Sequence, residues 1–81
     1  MRKQLPINVY TQLNTNNTDF LIQNLGNDKL FIVAADTQPT PSTDYDYVIS
    51  SLHGISGSHV TGLFWGKPES KTAITVGITE G

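Results

Sequence analysis

From Thr72 to Thr79 the chain alternates, with Thr72, Ile74, Val76 and Ile78 on one side and Ala73, Thr75, Gly77 and Thr79 on the other. A period of two belongs to a strand, and three branched apolar side chains on one side predict that this strand is half-buried. Two more β-rich runs, Phe20-Leu21-Ile22-Gln23 and Lys29 to Ala35, flank Asn24-Leu25-Gly26-Asn27-Asp28, whose Gly, Asn and Asp tolerate positive φ. They read as a hairpin. Further strand-like runs cover Ile7 to Leu13, Tyr45 to Leu52 and Val60 to Gly66. These runs recur at roughly the 8–12 residue spacing of sandwiches and barrels.

Between the runs lie segments that oppose ladder pairing. Gln38-Pro39-Thr40-Pro41-Ser42-Thr43-Asp44 carries two prolines among Ser, Thr and Asp. A chain cannot stay in a sheet there, so the segment is expected to cross between sheets. His53-Gly54-Ile55-Ser56-Gly57-Ser58-His59 reads as a Gly/Ser loop, and Pro68-Glu69-Ser70 as a turn. In the run after Asp44, alternation puts Tyr45, Tyr47 and Ile49 on one side and Val48 opposite. In Leu63-Phe64-Trp65 it sets Trp65 against Phe64, so one large aromatic must face away from the inner core.

Composition closes the alternative. Ten Thr, seven Gly and four Pro, with little Ala, Glu or Lys, favour strands and turns over helix, and no stretch keeps a 3.6-residue period. The expected fold is all-β: a small antiparallel β-sandwich or jelly-roll-like barrel of about six to eight short strands, forming one domain over residues 1–81. Residues 1–17 leave two readings open, an anchoring arm and ordinary strand pairing.

Size and charge narrow the function. An 81-residue domain buries only about 60% of the surface its unfolded chain exposes, and small domains usually add disulfides, a metal or partner subunits. There is no Cys, so disulfides and thiolate metal sites are excluded. Arg2, Lys3, Lys29, Lys67 and Lys71 are scattered and the net charge is −2, which argues against a nucleic-acid partner. The longest apolar run, Leu30 to Ala35, is far short of the roughly 20 residues of a membrane helix. Met1-Arg2-Lys3 is basic, but Gln4, Pro6 and Asn8 deny it the apolar stretch of a signal peptide, so synthesis in a cytosol is expected.

Candidate chemistry is sparse. His53 and His59 share a loop with Ser56 and Ser58, but no nucleophile motif surrounds either serine, and solvated or subunit-contacting histidines are the simpler reading. Their six-residue separation is no metal signature. Asp36, Asp44 and Asp46 bracket the proline segment, where they either hold a calcium ion with backbone carbonyls or cap turns. Asn16-Asn17-Thr18 matches the glycosylation pattern, which means little without a secretion signal. No catalytic, cofactor or metal residue is therefore assigned. Trp65, Phe64, Tyr45 and Tyr47 are the expected contact residues, because aromatics dominate interface cores; a sugar-stacking platform is the rival use.

Four segments carry a resemblance: Phe20-Leu21-Ile22-Gln23-Asn24-Leu25-Gly26, Ala35-Asp36-Thr37-Gln38-Pro39-Thr40, Thr61-Gly62-Leu63-Phe64-Trp65-Gly66-Lys67-Pro68 and Ile74-Thr75-Val76-Gly77-Ile78-Thr79-Glu80-Gly81. In this order they resemble small virion structural proteins of tailed bacteriophages. The resemblance implies a β-sandwich that forms a symmetric homo-oligomer, often a trimer, on the major capsid or other virion proteins. It would decorate and cement the head shell after assembly in the host cytoplasm. It carries over no active site. A tail or receptor-contacting component is the alternative within the virion, and a stand-alone carbohydrate- or protein-binding module the alternative outside it.

Overall fold

The computed structural model describes residues 1–15, 18–57, 61–69 and 71–80. Eight strands are found among them: β1 (Arg2–Leu5), β2 (Thr11–Gln12), β3 (Phe20–Asn24), β4 (Leu30–Ala34), β5 (Tyr47–Ile49), β6 (Gly54–Ser56), β7 (Phe64–Pro68) and β8 (Ile74–Glu80). They form two four-stranded antiparallel sheets, β1-β8-β3-β6 and β2-β7-β4-β5. The expected all-β sandwich is what forms, in its jelly-roll version.

The winding follows from the register. β1 pairs with β8, β2 with β7, β3 with β6 and β4 with β5, so the two halves of the chain lie against each other as one long ribbon. Arg2 pairs with Gly77 and Ile32 with Tyr47, and each pair of numbers adds to 79. Thr11 pairs with Gly66 and Leu21 with Ser56, each pair adding to 77. A nearly constant total places the fold-back of the whole ribbon at Gln38-Pro39. Rolling the ribbon then brings β3 beside β8 and β4 beside β7, which closes the two sheets.

This geometry corrects two expectations. The runs around Asn24 to Asp28 are not a hairpin: β3 and β4 lie in different sheets, their apolar faces meeting across the core instead of along an edge. The proline segment is not a crossover either. It joins β4 to β5 within one sheet, while each of the other six connections changes sheet. Proline there ends the ladder at the ribbon's apex without moving the chain out of its layer.

Side chains at alternate positions fill the space between the sheets. Leu5, Phe20, Ile22, Ile74, Val76 and Ile78 come from the first sheet; Leu30, Ile32, Ile49 and Phe64, with Leu13 just past β2, come from the second. Phe20 and Phe64 meet across the layers with ring centroids 5.4 Å apart. The terminal strand therefore faces inward as its alternation predicts, and Phe64, not Trp65, is the inward aromatic. Residues before Asn16 belong to this body, since β1 pairs with β8 and β2 with β7. The expected strand over Ile7 to Leu13 is reduced to Thr11–Gln12, because Asn8 turns the chain with φ 61°. Part of the expected Gly/Ser loop is the edge strand β6, whose first residue Gly54 and following Gly57 permit close approach to β3 and the residues before it. A Cβ at Gly54 would collide with the Ile22 carbonyl, and one at Gly57 with the Thr18 carbonyl.

Two asparagines are buried with the core, and each ties a crossover. The Asn24 amide donates to the carbonyls of Asp28 (2.8 Å) and Ile49 (3.0 Å), while its Oδ1 accepts from the Gly26 amide (2.9 Å). Asn14 donates to the Gly62 carbonyl (3.1 Å) and accepts from the Phe64 amide (2.8 Å). Deleting either side chain strands backbone groups inside the protein, at roughly 1–3 kcal/mol per group. Asn24→Ala should lower unfolding free energy by about 3 kcal/mol, a large share of the roughly 4–12 kcal/mol expected for a domain of this length. Urea denaturation followed by Trp65 fluorescence measures this; a loss below about 1 kcal/mol would remove Asn24 from this role.

Candidate functional site

The second sheet is apolar on both faces. Alternation sends Leu30 and Ile32 of β4 inward, so Phe31 and Val33 point outward, beside Lys67 and Trp65 of β7. Tyr10 joins them from the approach to β2, and both Tyr10 and Val33 are buried although neither belongs to the central core. What buries them is the segment 35–46, which returns across this face as a strap.

Strap and sheet are held by side-chain donors reaching backbone carbonyls. The Trp65 indole N–H donates to Ala35 (2.9 Å), the Tyr10 hydroxyl to Thr43 (2.9 Å) and the Lys67 ammonium to Pro41. In the other direction, the Gln38 amide donates to the Tyr10 carbonyl (2.9 Å). The Lys67 ammonium also lies 5.0 Å from the centre of the Tyr10 ring and 6.0 Å from that of Phe31, close enough for cation–π attraction. Proline-rich chain has few N–H groups of its own, so borrowed donors are a natural way to fix it.

The strap ends in a bulge. Asp46 donates its N–H to the Ile32 carbonyl (2.7 Å) while Tyr47 is also registered against Ile32, so two residues oppose one. The Asp46 carboxylate extends the ladder by accepting from the Ala34 N–H (2.9 Å). The extra residue breaks alternation and corrects the expectation that Tyr45 and Tyr47 share a side. Tyr45 stacks on the outward Phe31, centroids 4.3 Å apart and planes 9° from parallel, whereas Tyr47 meets the core ring Phe64 edge-on at 6.1 Å.

The four aromatics expected at a subunit contact thus divide. Phe64 is 1% exposed and serves the core. Trp65 is half-buried, with its indole N–H bonded to the Ala35 carbonyl of the strap. Tyr45 and Tyr47 remain 50% and 40% exposed, with Val48 at 40% between sheet and solvent. Tyr47 and Val48 belong to β5 and Tyr45 lies just before it, across Asp46; β5 is an edge of the second sheet and itself carries neither proline nor charge. The opposite situation holds at β1, an edge of the first sheet bearing Arg2 and Lys3. Nothing in the sequence marks Tyr10 as buried or Val48 as an edge residue, because both depend on which strand lies alongside.

The remaining candidates do not converge. Among the described residues no three His, Asp or Glu side chains come together as a metal site, and the Asp46 carboxylate is engaged by the Ala34 N–H. His53 donates its Nδ1–H to the Ser51 carbonyl (3.0 Å) and is exposed. His59, Ser58, Asn16 and Asn17 lie outside the described residues. No protein-family model, curated protein or solved structure matches this chain.

Burial raises the Tyr10 phenol above its ordinary 10.0, and the nearby Asp44 and Asp46 carboxylates push the same way. The neutral phenol is thus the form the fold prefers. Its stabilisation is intact below about pH 10 and is lost as pH climbs from there through the raised folded value. Tyr10→Phe should cost about 1 kcal/mol at neutral pH through loss of the Thr43 bond, and should flatten the fall in melting temperature above pH 10. Thermal melts of both proteins between pH 8 and about 11.5 test this; parallel curves would show that Tyr10 does not couple the strap to pH.

Proposed function

We propose that this protein is a non-catalytic structural block that associates with copies of itself and, on the resemblance set out above, decorates and stabilises a bacteriophage head shell. The observation that carries self-association is the β5 edge, uncharged and proline-free, with Tyr45, Tyr47 and Val48 exposed around it. Sheet edges of monomeric proteins are ordinarily blunted by charge, proline, cover, bulges or short strands, because an open ladder recruits another chain. β5 has the last two, so its exposed side chains and not its ladder carry the contact. A large aromatic buries roughly 150–250 Å² when fully covered, so these three side chains can centre a contact of the usual ~800 Å² per partner. A net charge of −2 sets little long-range repulsion against the approach of copies.

The jelly-roll winding is used by viral capsid and lectin domains alike, so it accommodates the resemblance without carrying it. On a shell, such a block would act by mass action: binding the assembled lattice and not its free subunits shifts the balance toward the lattice.

Light scattering across a concentration series tests the first step. The wild type should exceed monomer mass at micromolar concentration, and Val48→Lys should weaken association at least tenfold while changing the monomer's stability by no more than about 0.5 kcal/mol. A wild type that stays monomeric to about 1 mM, which corresponds to a standard binding free energy weaker than about −4 kcal/mol, and that does not sediment with undecorated phage heads, would refute the proposal.

A further inference from the structure

We infer that Leu52 is a docking knob that seats in the groove beside β6 of a second copy of this chain. Leu52 combines two unfavourable features: φ of 66° in the left-handed region, and a side chain 69% exposed. That region costs an ordinary residue roughly 1–2 kcal/mol, and a bulky residue found there is unusual. The turn itself does not need leucine. It is fixed by the backbone bonds Leu52 N–H to Asn24 carbonyl (2.8 Å) and His53 N–H to Ser50 carbonyl (3.0 Å), and by the Ser51 hydroxyl on the Gly26 carbonyl (2.6 Å). Gly or Asn would meet the same geometry with less strain. The buried Asn24, bonded to the Ile49 carbonyl, anchors this turn to the core, so the leucine is presented on a rigid base.

The receiving surface lies on the first sheet. Leu21, Gln23, Gly54, Ile55 and Ser56 line a shallow groove of about 330 Å³ along β3 and β6. That is about twice the ~150 Å³ that takes a benzene-sized guest in other proteins. Leu21 is 47% exposed within it, and among the described residues that line it none is charged. The knob and the groove are supplied by one chain of low net charge, and neither carries a charge that would oppose the other, which makes a second copy the matching occupant. The contact goes beyond the β5 reading, since it uses the other sheet. Two distinct contacts per copy let a block extend across a surface instead of stopping at a pair.

Leu52→Asn provides the test, because strain and docking predict opposite effects. The variant should melt about 4–8 °C higher than wild type, the shift that relief of roughly 1 kcal/mol gives a chain of this size, and should associate at least tenfold more weakly by light scattering. Leu52→Ala should lose association without the gain in melting temperature. Leu52→Lys and Leu21→Glu should each fail to associate alone and recover when mixed. A lower melting temperature for Leu52→Asn would mean that the leucine packs within its own monomer, and would overturn the inference. So would undiminished association of Leu52→Asn, or a Lys/Glu mixture that stays apart. If Val48→Lys alone dissolves the assembly while Leu52→Asn leaves it intact, the β5 reading stands and this one falls; the reverse result supports this one and removes β5.

Discussion

The whole structure depends on a single fold-back of the chain near Gln38-Pro39. Once the two halves are laid antiparallel with a nearly constant register, the pairings β1 with β8, β2 with β7, β3 with β6 and β4 with β5 all follow. Rolling that ribbon is what buries it. A flat ribbon of two strands is marginal in water, whereas rolling adds two further ladders and brings two apolar faces together. The cost is that the chain must leave its layer at six of its seven connections, and each departure takes backbone groups out of a ladder beside the core.

Asn14 and Asn24 answer that cost. An asparagine side chain carries both donor and acceptor and can satisfy loop backbone where no strand is available. Here each does so from inside the core, joining chain segments distant in sequence: Asn14 to Gly62 and Phe64, Asn24 to Ile49. Among the described residues no buried side-chain nitrogen or oxygen lacks a partner, so the polar content of this small core is fully used. Such a core tolerates little change, because an amide lost at a crossover leaves its partners unpaired where the low local dielectric makes that costly.

Much of the fold class was legible in the sequence and little of its wiring was. Alternation from Thr72 to Thr79 correctly told which residues of β8 face inward, and the opposition of Phe64 and Trp65 correctly required one of them to turn out. A period of two reports which side chains share a face; it does not report which sheet the strand joins. Asn24 to Asp28 contains turn residues suited to a hairpin, and only the apposition of β3 and β4 across the core makes it a crossover. The bulge at Asp46 was equally hidden, since one extra residue reverses Tyr45 relative to Tyr47 without any compositional mark. Of the four aromatics singled out as contacts, burial withdraws Phe64 and the strap engages Trp65, because an aromatic near a small core is drawn into it when a partner surface lies within reach.

What distinguishes the second sheet is that the strap gives it an outer layer of its own. Small sandwiches ordinarily leave the outer face of each sheet polar. Here Tyr10, Phe31, Val33 and Trp65 occupy that face, and the proline segment covers them at the expense of its own regular structure. The cover ends at Asp46, and Tyr45, stacked on Phe31, and Val48, opposite Phe31, carry the apolar character of this face to the β5 edge, while Tyr47 turns toward Phe64 on the other side. On and beside the first sheet the described exposed apolar groups are Met1 next to β1, Leu21 in the groove along β3 and β6, and the strained Leu52 in the turn before β6. The two sheets therefore share a strand count and an antiparallel pairing, and the strap is what sets the second apart.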